Sequence, residues 1–373
     1  MQIAVREGLS ADDGSAVGVL DALYREAVRC GASDIHFERT PDGGRIRLRV
    51  DGVLREHHTL PGRLFDRVVM RIKVLAGMDV ADRRQPQDGS HPILVEERSL
   101  DARVSTLPTV CGEKVVVRLV RTSATVPSLE ELGMHGDVLR RFRQAVEAPH
   151  GCAVVCGPTG SGKTTTLYAA MALRNRTGAN LCSVEDPVEI RMPGVNQVQI
   201  HPRAGVTFAA TLRSLLRQDP NVIMVGEMRD AETAAVACSA ALSGQTVLTT
   251  LHASDAVAAV DRLSDLGLEG RVIASAVEVI VAQRLLRRLC RDCRDARGTC
   301  TTCGGCGYSG RIGVFEALHI GDAVRESIIG GEPLHRRRIA AREHGLVPMR
   351  EAAAMLCSLR ITDDAEVERV FGP

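Results

Sequence analysis

Tryptophan is absent from the 373 residues, and three tyrosines and six phenylalanines are the only aromatic side chains of the chain. Any core must therefore be built from Ala, Val, Leu and Ile. An excess of charge is missing as well: 47 Lys and Arg stand against 46 Asp and Glu, a net charge of +1. Without a global basic field, bulk attraction to nucleic acid is not indicated. The opening MQIAVREGLSADDGS has no basic region followed by an apolar run, so no signal peptide is read there. The longest uncharged stretch, Thr233 to Ser254, is interrupted by Ser, Gly, Gln and Thr. It predicts a buried helix followed by a strand rather than a membrane span. These absences together place the chain in the cytoplasm, where thiols stay reduced and clustered cysteines point to metal rather than disulfides.

What is present starts with length: 373 residues are enough for two or three domains. The segment CAVVCGPTGSGKTTTLYAAMAL opens as an apolar strand, Ala153 to Cys156, and turns through Gly157, Pro158, Thr159, Gly160, Ser161 and Gly162. It continues as a helix with apolar Leu167, Ala170 and Met171. The match to G-x-x-x-x-G-K-[ST] is complete and both flanks are of the required type. Glycines let backbone N–H groups wrap phosphates at the positive end of a helix. Lys163 would reach the β- and γ-phosphates of a nucleotide; the Thr164 hydroxyl, followed by Thr165, would ligate Mg²⁺.

Three further apolar strands end in polar residues. NVIMVGEMRD runs Val222 to Val225 and ends at Gly226-Glu227; LCSVEDPVEI ends in Glu185 and Asp186, with Glu189 beyond; TVLTTLHASDA ends at His252. No Asp stands at the end of the first, so Glu227 is the carboxylate available to orient or deprotonate an attacking water. Apolar strands punctuated by helices imply an α/β fold with a parallel sheet covered on both faces. The polar strand ends then gather at one sheet edge, beside the phosphate loop. A lone Glu or His at a strand end is ordinarily a solvated loop residue; three downstream of an intact phosphate loop predict a hydrolysis site.

At these residues the chain resembles the ATPases of type II secretion and type IV pilus assembly. GASDIHFE (31–38), RVDGVL (49–54), RQPQDGS (84–90), RVSTLPT (103–109) and GEKVVVRLV (112–120) look like that family's second N-terminal domain. SVEDPVE is similar to its Asp box, IMVGEMRD to its Walker B segment, SGQTVLTTLHASDA to its His box, and GYSGRIGVFEAL (307–318) to the stretch after its tetracysteine motif. The resemblance implies a small PAS-like α/β domain (1–120), a linker (121–128), a RecA-like P-loop core (129–284), a metal-binding insert (285–315) and a helical C-terminal part (316–373). It implies a homo-hexameric ring that binds ATP and Mg²⁺. The ring would work at the inner membrane through platform proteins rather than by touching lipid, and without nucleic acid. Position by position, Glu227 matches the catalytic glutamate, Glu185 the Asp-box acid near Mg²⁺ and water, and His252 the second His-box histidine. Arg103 and Arg118 match arginines that close on the γ-phosphate. Two departures stand out. Gly244-Gln245 replaces the usual Gly-His, and SAVGVLDALYREAVRCGASDIHFE begins so early that the family's first, docking domain is expected to be missing.

Twelve cysteines remain to be placed. Cys30, Cys111, Cys152, Cys156, Cys182, Cys238 and Cys357 are scattered among apolar residues and read as small core hydrophobes. Cys290-x-x-Cys293 and Cys300-x-x-Cys303 are two ligand pairs of the kind that hold tetrahedral Zn²⁺. Cys303 and Cys306 are an alternative second pair, leaving Cys300 idle. Arg287, Arg288, Arg291, Arg294 and Arg297 surround the cluster and would offset thiolate charge. Mixed with Asp292 and Asp295 and lacking interleaved aromatics, they read as a solvated or protein-docking face rather than a nucleic-acid site. PLHRRRIAAREHG (333–345) reads as an exposed helix. Retraction ATPases of the resembling family generally lack the cysteine knuckle, so the thiols point to the assembly and secretion branch. A retraction or DNA-uptake motor, or a non-catalytic ATP-binding subunit, are the competing readings.

Overall fold

Val19, Leu20, Leu23, Tyr24 and Ala27 recur at helical spacing and form the buried stripe of α1 (Ala16–Arg29). Ser15 caps it, its Oγ accepting the Gly18 amide at 3.1 Å. The computed structural model describes residues 15–121, 125–293, 298 and 300–372. The opening fourteen residues, part of the expected linker, and Arg294, Asp295 and Arg297 lie outside that set. The chain divides into two compact units, Met1–Ala124 and Thr125–Pro373.

In the first unit α1 is followed by β1 (Ala32–Thr40), β2 (Gly43–Val50), β3 (Val53–Leu60), α2 (Gly62–Leu75), β4 (Gln87–Val95), β5 (Arg98–Thr109) and β6 (Gly112–Arg121). The strands form an antiparallel sheet in the order β3-β2-β1-β6-β5-β4. Alternation sends Ile35, Phe37, Ile46, Leu48, Ala102, Val104, Val115 and Val117 into the core. There they meet Phe65, Val68, Val69 and Ile72 of α2. The opposite face carries charge. Arg49, Asp34, Arg118 and Arg103 stand in register on β2, β1, β6 and β5. Lys73 of α2 is fully buried, and its Nζ donates to Glu113 and to the Asp82 carbonyl, both at 2.7 Å. A buried ammonium persists only when so paired.

The second unit runs through α3 (Gly136–Glu147), β7 (Gly151–Cys156), α4 (Lys163–Arg174), β8 (Leu181–Glu185), β9 (Val195–Gln199), α5 (Phe208–Leu215), β10 (Val222–Val225), α6 (Ala231–Leu242) and β11 (Thr246–Leu251). It continues with α7 (Ala258–Asp265), α8 (Gly270–Ala276), β12 (Val277–Leu289), β13 (Tyr308–His319), α9 (Asp322–Ile329), α10 (Leu334–Glu343), α11 (Met349–Ser358) and α12 (Asp364–Phe371). The sheet order is β13-β12-β7-β11-β10-β8-β9. Every residue of β7, β8, β10 and β11 is buried, as apolar strands covered on both faces must be. Residues of α3 and α4 pack on one face of the sheet, and residues of α6, α7 and α8 pack on the other.

The uncharged stretch from Thr233 is indeed a buried helix and a strand, α6 and β11. Among the described residues no helix is long and apolar enough to cross a membrane. The sheet is not wholly parallel, because β13 runs antiparallel to β12. These are two long strands of one ribbon, and the cysteine knuckle is the connection between them. Cys152, Cys156, Cys182 and Cys238 lie in the core, but Cys30 and Cys111 are exposed, against the expectation for them. Cys30 is the C-terminal cap of α1 and Cys111 sits in the turn between β5 and β6, so neither occupies the inward face of an element. The arginine-rich segment from Pro333 forms α10, whose Arg337 is an exception to its exposure: it is buried and paired with Asp261.

Candidate functional site

The phosphate loop leaves the central strand β7, flanked by β11 and β12. Gly157 adopts φ +153°, and a Cβ there would approach the Gln283 carbonyl oxygen to 2.5 Å and Ser161 Oγ to 2.6 Å. Gly162 precedes α4 at φ +88°, and its Cβ would meet Gln283 Nε2 at 2.8 Å. Both positions therefore need glycine for space as well as for backbone angle. Pro158, Thr159 and Gly160 are exposed at the loop tip, while Thr164 and Thr165 are half-buried. Lys163 is buried, and its Nζ donates to the carbonyls of Gly157 at 2.9 Å and Pro158 at 3.0 Å. Burial pulls its ammonium below the usual lysine range, against the opposing pull of Cys156 and Glu227. Ser161 Oγ is buried with no hydrogen-bond partner among the described residues. An orphaned hydroxyl inside a ring of glycines at a helix N-terminus fits a bound polyphosphate.

The strand ends beside the loop are sewn together. Thr250 Oγ1 donates to the Gly226 carbonyl at 2.7 Å, the Met228 amide donates to the Thr250 carbonyl at 3.1 Å, and the Gly226 amide donates to Val184 at 2.8 Å. These bonds fix Glu227 immediately past β10. Its Oε1 pairs with Arg229 at 2.5 Å, and its Oε2 is 3.7 Å from His252 Nε2. Burial and the charge of Lys163 push His252 below the usual imidazole range, so it is neutral at pH 7. Lys163, Glu227 and His252 thus share one electrostatic neighbourhood.

Glu185 is placed differently. It is 2% exposed and accepts from the Tyr168 hydroxyl, from Ser183 Oγ at 2.5 Å and from Gln197 Nε2 at 3.0 Å. The same Tyr168 hydroxyl accepts the amides of Glu189 at 3.1 Å and Ile190 at 3.2 Å. The carboxylate therefore shapes the segment that follows β8, while its neighbour Asp186 is exposed and adds negative charge near Arg229. Gln245 stands just before β11, and the six strand residues Thr246–Leu251 separate it from His252. That puts it at the sheet edge opposite the phosphate loop.

The cysteine knuckle joins β12 to β13. The Sγ atoms of Cys290, Cys293, Cys300 and Cys303 all lie within 4.8 Å of one another. Cys290 and Cys300 are 3.9 Å apart, and Cys293 and Cys303 3.6 Å. Cys306 stands outside this group, bonded to the backbone of Tyr308. Of the two pairings open from the sequence, the structure gathers the one with Cys300. Four thiols on two C-x-x-C turns are a donor set that fits tetrahedral Zn²⁺. The Gly307 amide donates to Cys303 Sγ at 3.3 Å, and an amide of Cys303 directed at Cys300 helps lower that thiol to about 7.

Arg287, expected near the thiolates, is turned elsewhere. Its amide, Nε and Nη2 all donate to the fully buried carboxylate of Glu366 on α12, at 2.9, 2.8 and 2.7 Å. Its guanidinium lies 3.9 Å over the ring of Tyr308, whose hydroxyl donates to Asp363. The base of the knuckle is thereby bolted to the C-terminal helix.

Residues 10–369 match the family described as Type II/IV secretion system protein. The chain belongs to that family. It is 44% identical to the type II secretion system protein HxcR of Pseudomonas aeruginosa, over 98% of this chain and 80% of that one. It is 41% identical to the type II secretion system ATPase E of Vibrio cholerae, over 95% and 77%. The type IV pilus assembly ATPase PilB of Thermus thermophilus is 38% identical over 92% of this chain but only 41% of its own length. This family member is accordingly a secretion and pilus-assembly type ATPase. Its fold matches that of the Legionella pneumophila ATPase DotB, with a TM-score of 0.76 at 21% identity over 99% of both chains. It also matches the pilus retraction motor PilT with bound ADP, with a TM-score of 0.65 at 23% identity over 94% of this chain and 96% of that one.

In this ATPase Arg103 and Arg118 belong to the first unit, and the phosphate loop to the second. The two arginines face each other across β5 and β6. Arg118 Nε is held by the buried Asp34 carboxylate at 2.9 Å, which leaves most of its guanidinium exposed. Sequence reasoning passed over Tyr168, Gln283, Thr250 and Arg229. The signal for Gln283 was available: in VIVAQRLL it is the polar residue that interrupts an apolar strand, and it is 1% exposed.

Proposed function

We propose that this chain is the ATP-driven motor of a type II secretion or type IV pilus-assembly machine. Its subunits form a homo-hexameric ring at the cytoplasmic side of the inner membrane, and membrane contact runs through platform proteins. The observation that carries the reading is the Glu227 carboxylate locked at the end of β10, in the electrostatic field of Lys163 beside a complete phosphate loop. Lys163 binds the β- and γ-phosphates. Thr164 contributes a hydroxyl to Mg²⁺, which when bound neutralises phosphate charge. Glu227 orients the attacking water and takes its proton; neutral His252 steadies that carboxylate. Glu185 acts through the Tyr168 network, holding the segment that carries Asp186. Residues 1–120 act as a separate α/β domain linked to the ATPase core.

Arg103 and Arg118 supply positive charge to the transferred phosphoryl group. Arg118→Ala, measured in assembled rings, should leave ATP binding within about twofold and lower turnover by about a hundredfold. Unchanged turnover would remove the arginine from the reaction.

The cysteine knuckle holds one Zn²⁺ as a structural clasp. Elemental analysis of protein purified without added metal should give about one zinc per chain. Cys300→Ser should lose it, and Cys306→Ser should keep it. The reverse pattern would exchange the ligands. The direction of the motor is tested by deleting the gene: assembly predicts loss of surface filaments or of secreted protein, restored by the wild-type chain and not by Lys163→Ala. Excess filaments would identify a retraction motor instead.

A further inference from the structure

The phosphate loop rests on a side chain outside its own motif. The register of β12 on β7 sets Ala282 beside Cys156, so Gln283 comes next and lies under the turn at Gly157. Its carbonyl oxygen fills the space a Cβ on Gly157 would need, and its Nε2 fills the space a Cβ on Gly162 would need. Its Oε1 accepts Thr166 Oγ1, in the first turn of α4, at 2.7 Å. The buried amide of Gln283 thus packs against the Gly162 end of the loop and the helix that follows it, while the main-chain carbonyl of the same residue lies against Gly157.

We infer that Gln283 is a positioning residue for nucleotide binding, holding the phosphate loop in the shape that receives the phosphates of ATP or ADP. This rests on the ATP reading of the loop. Three glycines give the loop wide backbone freedom. Without a floor it would spend only part of its time in the binding shape, and apparent affinity falls by that fraction. The amide is suited to the place. It is neutral, and it offers an acceptor to Thr166. An apolar replacement would leave that buried hydroxyl only its longer bond to the Gly162 carbonyl, at 3.4 Å, and a carboxylate would set negative charge behind the phosphates.

The test uses the full chain and titration with a fluorescent ADP analogue, with Lys163→Ala as the non-binding control. Gln283→Ala should weaken binding about tenfold. Thr166→Val should weaken it similarly, and the double variant should be no worse than either, because both remove one contact. Gln283→Glu keeps the size of the side chain and remains informative even if the alanine variant does not fold. A buried carboxyl gains its proton as pH falls. Its affinity, expressed relative to wild type, should therefore recover between pH 8 and 6 while that of Gln283→Ala stays level. Losses that multiply in the double variant, affinity within twofold for Gln283→Ala, or the same pH dependence in both variants would each overturn the inference. Failure of the wild-type chain to bind ADP would instead overturn the nucleotide reading itself.

Discussion

Glu227→Gln should bind ATP as tightly as wild type and lose between about a hundredfold and ten-thousandfold in turnover. The amide has nearly the size of the carboxylate and keeps one acceptor, so the strand end held by Thr250 and Met228 has no reason to move. What disappears is the group able to take a proton from water. The Arg229 guanidinium, 2.5 Å from Oε1 in the wild type, is exposed, so losing its partner costs little in stability. Phosphate release and nucleotide affinity measured side by side decide the matter. A parallel fall in both would mean that Glu227 shapes the pocket rather than serving the reaction. Wild-type turnover would revive the reading of a subunit that binds ATP without spending it.

The second large effect lies far from the nucleotide. Glu366→Ala should destabilise the second unit by roughly 3–5 kcal/mol, the cost of leaving buried charge unpaired. Glu366 is fully buried, and its loss strands Arg287, the Arg287 amide and the more exposed Arg369 together. Burial alone would push this carboxyl up; the hydrogen bonds from Arg369 and Arg287 outweigh it and hold it at about 2. A carboxylate lowered in the folded state contributes its full share above the unfolded value of about 4.3. That share drains away as pH falls from there towards 2. Urea unfolding at pH 7 should separate variant from wild type, and the gap should narrow towards pH 3. A gap that stays constant would assign the loss to packing rather than to the ion pair. With Zn²⁺ held as proposed, the variant should also release it to a chelator faster, because Arg287 and Tyr308 frame the knuckle.

Much of the site was legible before folding because its chemistry is written in short segments. A phosphate loop is contiguous, and its strand and helix flanks show in local periodicity alone. Glu227 and His252 were recognisable as polar residues ending apolar strands, which in a parallel sheet share one edge. The two C-x-x-C pairs announced a cluster of four thiols for the same reason. Contacts between distant segments were not legible. Nothing in SVEDPVE says that Glu185 is enclosed by Tyr168 and Gln197, because that enclosure depends on α4 and β9 arriving from elsewhere in the chain. Arg287 looked like one basic residue in a run; its partner Glu366 stands on the last helix. Cys30 and Cys111 sat among apolar neighbours, yet a helix end and a hairpin turn carried them outward.

The sequence by itself determined the class of chemistry, the nucleotide loop, the alternation that buries one face of the first sheet, and the pair spacing of the thiols. All of these follow from local rules: strand and helix period, the backbone freedom of glycine, and the reach of a tight turn. Tertiary structure alone decided which thiol stands aside and which buried amide supports the phosphate loop. Those outcomes depend on the register between β12 and β7 and on the ribbon of β12 and β13. Such registers are fixed by the packing of whole surfaces, and no short stretch of residues carries that information.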